Sequence, residues 1–92
     1  MMGNVTHATI YFSGRVQGVG FRYATLQLAK EFEVTGFVQN LTDGRVLLDV
    51  EGPGEEITAL VEAIEERMHG YIRKVERTQE TRLASYSGFT IR

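Results

Sequence analysis

Ile57, Leu60, Val61, Ile64 and Met68 stand at i, i+3, i+4, i+7 and i+11, the spacing of one apolar stripe along an α-helix. Glu55, Glu56, Glu62, Glu65 and Glu66 surround that stripe, so this helix must lie with one side on a core and the other in water. A second stripe, Phe21, Ala24, Leu28 and Phe32, predicts an earlier helix running from Phe21 to Phe32, of about three turns. Outside these segments the pattern is that of extended chain. His7–Phe12 is rich in β-formers and predicts a first strand; Gly36–Asn40 and Val46–Glu51 predict the second and third. Thr42-Asp43-Gly44-Arg45 joins the last two as a hairpin, because Asp-Gly supplies the positive φ that a tight turn needs. Gly52-Pro53-Gly54 breaks the chain before the acidic helix, and His69-Gly70 stops it. Ile72–Leu83 alternates loosely and predicts a fourth, more exposed strand, with Gly88–Arg92 as a short closing strand or an extension of it.

The order β-α-β-β-α-β implies an α+β, ferredoxin-like sandwich: an antiparallel four-stranded sheet with two helices packed on one face. Ninety-two residues fit one such domain, taken as residues 1–92, with no length for a second. The chain has no Cys, which excludes disulfides and thiolate chemistry and fits a reducing compartment. Met1–Asn4 carries no basic region followed by an apolar stretch, and no run approaches the roughly 20 apolar residues of a membrane span. A cytoplasmic protein with no membrane partner is expected. Lys and Arg number ten against twelve Asp and Glu, a net charge of −2, which argues against a nucleic-acid partner. A small anionic ligand is compatible with that balance, because a local cradle does not require a basic protein.

Such a cradle is encoded between the first strand and the first helix, in Gly14-Arg15-Val16-Gln17-Gly18-Val19-Gly20-Phe21-Arg22. A glycine-rich turn entering a helix aims several backbone N–H groups at one spot, and the helix dipole makes that spot favour an anion. The spacing is neither the P-loop nor the dinucleotide pattern. Arg22 places a cation where the dipole disfavours it by roughly 0.3–1 kcal/mol, unless an anion sits between it and the amides. Its planar fork suits phosphate. Arg15 is expected to contribute its backbone N–H more than its charge. Asn40, at the end of the second strand, is an ordinary turn residue or a carboxamide that orients a water. His7 reads as a strand residue and His69 as a helix C-terminal residue; Asp43 and Asp49 read as turn and strand-surface residues. No metal-ligand spacing occurs, and no cofactor is expected.

With these residues in place the chain resembles the acylphosphatases. Gly14 to Arg22 matches that family's first signature without a gap: a glycine, any residue, Val-Gln-Gly-Val, any residue, Phe-Arg. Gly36, Phe37, Val38, Asn40, Gly44, Val46 and Gly52 match the second with every spacing intact. Phe12 departs from the aliphatic residue usual two positions before the first glycine, and Met68–Lys74 lacks the family's Gly-Pro-rich turn. The resemblance implies metal-independent hydrolysis of the carboxyl–phosphate bond of acyl phosphates, giving a carboxylate and inorganic phosphate. It implies that Arg22 binds the phosphate oxygens with the loop amides of Arg15, Val16, Gln17, Gly18, Val19, Gly20 and Phe21, and that Asn40 holds the attacking water. The expected partner is a small-molecule acyl phosphate, and the expected state a monomer.

Two other readings compete. A non-catalytic anion-binding module of the same fold would keep the cradle and Arg22 but has no use for Asn40. Related domains also occur embedded in hydrogenase maturation or carbamoyl-transfer proteins; a chain of 92 residues beginning with Met is expected to be free-standing. An RNA-binding sheet would show stacked aromatics beside basic residues; Tyr11 and Phe37 are available for stacking, but the basic surplus is missing.

Overall fold

The computed structural model describes residues 3–92; Met1 and Met2, part of the stretch read for a leader, lie outside the described residues. Strand β1 (Asn4–Gly14) lies inside the sheet, antiparallel to β3 (Val46–Gly52) on one side and to β4 (Ile72–Leu83) on the other. β3 pairs in turn with β2 (Thr35–Asn40) through the Asp43–Gly44 hairpin. Register sorts the side chains. Ala8, Ile10 and Phe12 stand opposite Val50, Leu48 and Val46 on the face that packs against α1 (Phe21–Ala29) and α2 (Gly54–Arg67). The stripe Ile57, Leu60, Val61, Ile64 and Met68 is buried in that core, as its spacing requires. Phe12, the residue that departs from the family pattern, is wholly buried, its ring 5.1 Å from that of Phe21 at the start of α1.

The sheet itself corrects the expectation. It has five strands in the order β4-β1-β3-β2-β5 and is mixed, not four-stranded and antiparallel. After β4 the chain crosses to the opposite edge and β5 (Phe89–Ile91) pairs parallel with β2. The physical reason is the bare edge that β2 would otherwise present: Gly36 N–H donates to Gly88 O at 2.8 Å and Arg92 N–H to Val38 O at 2.9 Å. α1 also ends earlier than Phe32. Past Ala29 the backbone tightens, with Glu31 N–H to Leu28 O and Phe32 N–H to Ala29 O, while the Phe32 ring still packs on the core. At the other departure, Met68–Lys74, α2 closes through Met68 N–H to Ile64 O and turns into β4 with Tyr71 N–H to Met68 O.

The crossing at residues 84–88 runs over the helix-free face and is fastened by an unexpected group, the carboxylate of Glu51, which is 1% exposed. One carboxylate oxygen accepts the N–H groups of Ser85 (2.8 Å) and Tyr86 (3.0 Å). The other accepts the Ser85 hydroxyl (3.0 Å) and Arg82 Nε (3.1 Å). Beside it Asp49 accepts the Tyr86 hydroxyl at 2.7 Å and meets His7 Nε2. Burial alone pushes the Glu51 pKa up, but the hydrogen bonds from Ser85, Tyr86 and Arg82 outweigh it and leave the pKa below the ordinary glutamate value. The sign follows from the lowered folded value: the stabilisation is complete above the unfolded pKa of about 4.3 and is lost as pH falls through the folded one. Thermal midpoints measured from neutral to acid pH should therefore fall below about pH 4, and Glu51→Gln should flatten that part of the fall. An equal acid response in both proteins would contradict the assignment.

Candidate active site

Between β1 and α1 the backbone takes the left-handed region twice, at Gly18 (φ 78°) and Gly20 (φ 79°), conformations that a side chain would strain. Gly20 is the N-cap of α1, no side chain caps the helix and its first turn holds no acid. The N–H of Ala24 is the first to find a helical acceptor, Gly20 O at 3.0 Å. Among the described residues, the amides of residues 16–23 have no main-chain acceptor, so a run of N–H donors is left at the positive end of a helix dipole. Arg15 differs from the expectation here. Its N–H is spent on Tyr71 O at 2.9 Å, closing the bulge where β1 meets β4, so the donor run begins at Val16.

Val16, Gly18, Gly20, Phe21, Arg22, Tyr23, Asn40 and Ile91 line one cleft of about 210 Å³. The structure thus brings together Arg22, from the first turn of α1, and Asn40, from the end of β2. Gln17 explains how the two elements meet: its side-chain amide donates to Leu41 O (2.8 Å) and Arg45 O (2.9 Å), tying the loop to the β2–β3 hairpin beside Asn40. Val16, buried below the loop, joins the core, so the loop is anchored from inside as well. Val19 packs partly against that core, and Phe21 is almost fully buried; both serve the site through backbone and packing.

Among the described residues no Asp or Glu side chain pairs with Arg22; its Nη1 donates to the main-chain oxygen of Arg92 at 3.2 Å. The Arg92 guanidinium in turn lies 3.8 Å from the centre of the Phe37 ring. Asn40 carries its own signal, since its Oδ1 is covered by protein without a hydrogen-bond partner, an arrangement that costs free energy unless something else uses that acceptor. Tyr23, 63% exposed, and Ile91, 38% exposed, form an apolar rim. Sequence reading missed the rim, the Gln17 tie and the Arg92 contact, all of which depend on which edge receives β5 or on how the loop meets the hairpin.

The histidines and the aspartates Asp43 and Asp49 lie elsewhere. His7 faces Asp49 on the helix-free side of the sheet, His69 Nδ1 meets Glu66 O beyond α2, and Asp43 accepts from Arg45 within the hairpin. Among the described residues no group of His, Asp or Glu is arranged to hold a metal ion.

A family model described as Acylphosphatase matches residues 8–91. An acylphosphatase of Methanospirillum hungatei is 41% identical over 81 residues, 87% of this chain and 89% of that protein. A crystal structure of acylphosphatase from Bacillus subtilis superposes with a TM-score of 0.84 at 32% identity, covering 94% of this chain and 97% of that one. The structure of an acylphosphatase from Coxiella burnetii gives 0.82 at 32% identity, covering 97% and 94%.

Proposed function

The chain belongs to the acylphosphatase family, hydrolases that split acyl phosphates into a carboxylate and inorganic phosphate, and we propose that Arg22 and Asn40 carry that reaction in the cleft beneath the 16–22 loop. One observation supports this most: Arg22, which no Asp or Glu side chain pairs among the described residues, Asn40, whose Oδ1 has no partner, and residues of a loop whose amides lack main-chain acceptors line one cleft. The amides of Val16 to Phe21 and the Arg22 fork take the phosphate oxygens. Asn40 holds a water in line with the bond to the acyl oxygen. The water oxygen bonds to phosphorus, the bond from phosphorus to the acyl oxygen breaks, and the carboxylate leaves with the electron pair. A phosphate oxygen of the substrate takes the water's proton.

Leaving-group chemistry makes this sufficient. A carboxylate departs without needing a proton, so positioning and stabilisation of the equatorial oxygens supply the acceleration. No step calls for a general base, and none of the histidines is at the cleft. The acyl group itself points outward, toward Tyr23 and Ile91.

Purified protein incubated with acetyl phosphate should release inorganic phosphate, which should inhibit competitively. The rate should be the same with and without a chelator; a rate that collapses in chelator and returns with a divalent cation would overturn the mechanism. The proposal extends to a monomer acting in the cytoplasm as a single 1–92 domain. The lack of cysteine fits a reducing compartment.

A further inference from the structure

Glu51 lies on the helix-free face of the sheet and touches nothing in the cleft, yet it is among the most deeply buried charged side chains described. A buried carboxylate is costly unless it is fully hydrogen-bonded, and this one spends its acceptors on the 84–88 crossing and on Arg82. We propose that Glu51 is a positioning residue for the hydrolysis, fastening the crossing so that β5 and Arg92 hold Arg22 in its phosphate-binding pose.

The inference rests on the functional reading above, and the connection can be followed atom by atom. Glu51 holds the amides of Ser85 and Tyr86. Tyr86 stands edge-on to Phe37, with ring centres 5.9 Å apart, and its hydroxyl reaches Asp49. Two residues later Gly88 O accepts from Gly36, and four residues beyond that Arg92 N–H reaches Val38 O. Arg92 lays its guanidinium on Phe37 and offers its main-chain oxygen to Arg22.

β5 has three residues and one partner strand, an element of low stability by itself. Phe89 packs against the core, which anchors where β5 starts but not how the crossing delivers it. Arg22 depends on that delivery, because among the described residues its side chain has no partner other than Arg92. The bland alternative is that Glu51 merely neutralises Arg82. Arg82 is 36% exposed at its side chain and open to water, so it does not require a partner buried this deeply. The main-chain donors of Ser85 and Tyr86 both take the Glu51 carboxylate as their acceptor, which neutralising Arg82 does not explain.

Inorganic phosphate binding, measured by calorimetry, tests this without turnover. Glu51→Gln should weaken phosphate about tenfold, with KM rising in parallel and kcat changing less. Tyr86→Phe, which loosens the crossing at Asp49 and leaves Glu51 intact, should weaken it about threefold. The decisive readout is a double-mutant cycle with Arg22→Lys. If Glu51 acts by aiming the guanidinium, most of the Glu51→Gln effect disappears when that guanidinium is gone. Unchanged phosphate affinity in the folded variants would overturn the proposal, and so would additive effects, which mark a structural role alone. Should Glu51→Gln fail to fold, the same cycle with Tyr86→Phe decides. A wild-type chain that binds phosphate but leaves acetyl phosphate intact would overturn the functional reading only.

Discussion

Arg22→Ala should lower kcat/KM for acetyl phosphate by at least about 10²–10³-fold, the loss expected from one missing donor to a transition-state oxygen, and should weaken inorganic phosphate as well. The expectation is a minimum because, among the described residues, Arg22 is the only charged side chain lining the cleft. The loop amides that would remain are neutral dipoles. Both parameters should move, since the fork grips the ground-state anion as well as the transferring phosphoryl group. The stability of the variant separates this from a folding defect. A cation in the first turn of a helix costs roughly 0.3–1 kcal/mol, and the one hydrogen bond lost is the exposed contact to Arg92. The thermal midpoint should therefore change little or rise. Arg22→Lys should recover part of the phosphate affinity but little of the turnover, because an ammonium offers a point charge in place of two parallel donors. Activity within tenfold of wild type in Arg22→Ala would remove the residue from the mechanism.

The parts of the fold that were readable are those with long, regular patterns. The α2 stripe repeats over three turns, and the β2–β3 hairpin carries its own turn chemistry in Asp43, which accepts the Arg45 N–H, and Gly44, at φ 96°. The loop that joins β1 to α1 could be placed because its glycines sit at a change of period, and the left-handed Gly18 and Gly20 supply what that change requires. A short closing strand was legible at Gly88–Arg92, but the edge that β5 joins was beyond reach for a physical reason. Three residues hold too little pattern to choose an edge, and pairing with β2 is decided by the bare donors and acceptors of a strand far away in sequence. The role of Glu51 was out of reach for a related reason. Strand alternation puts it on the face opposite the helices, where a carboxylate ordinarily meets water. Its burial comes from Ser85 and Tyr86, 34 and 35 residues later. The same dependence on distant partners hid the Arg15 amide, which closes a bulge against Tyr71.

Asn40→Ala should separate binding from turnover. We expect kcat to fall about 10²-fold or more, the order of loss for a misplaced reactant, while inorganic phosphate inhibits about as well as before. Asn40 is proposed to touch the water and not the phosphate oxygens, so its removal takes away an interaction needed only on the way to the transition state. The folded state should tolerate the change, because the Asn40 Oδ1 makes no hydrogen bond in the described structure and its loss leaves no donor stranded. Asn40→Asp is the sharper control. It keeps the shape but replaces a donor–acceptor with a carboxylate that only accepts when ionised, beside a ligand that is itself negative. Phosphate affinity should then fall as well, and should recover as the pH is lowered to protonate the new acid. If Asn40→Ala instead weakened phosphate and turnover to the same degree, the carboxamide would belong to the anion clamp, and the in-line water would need another holder.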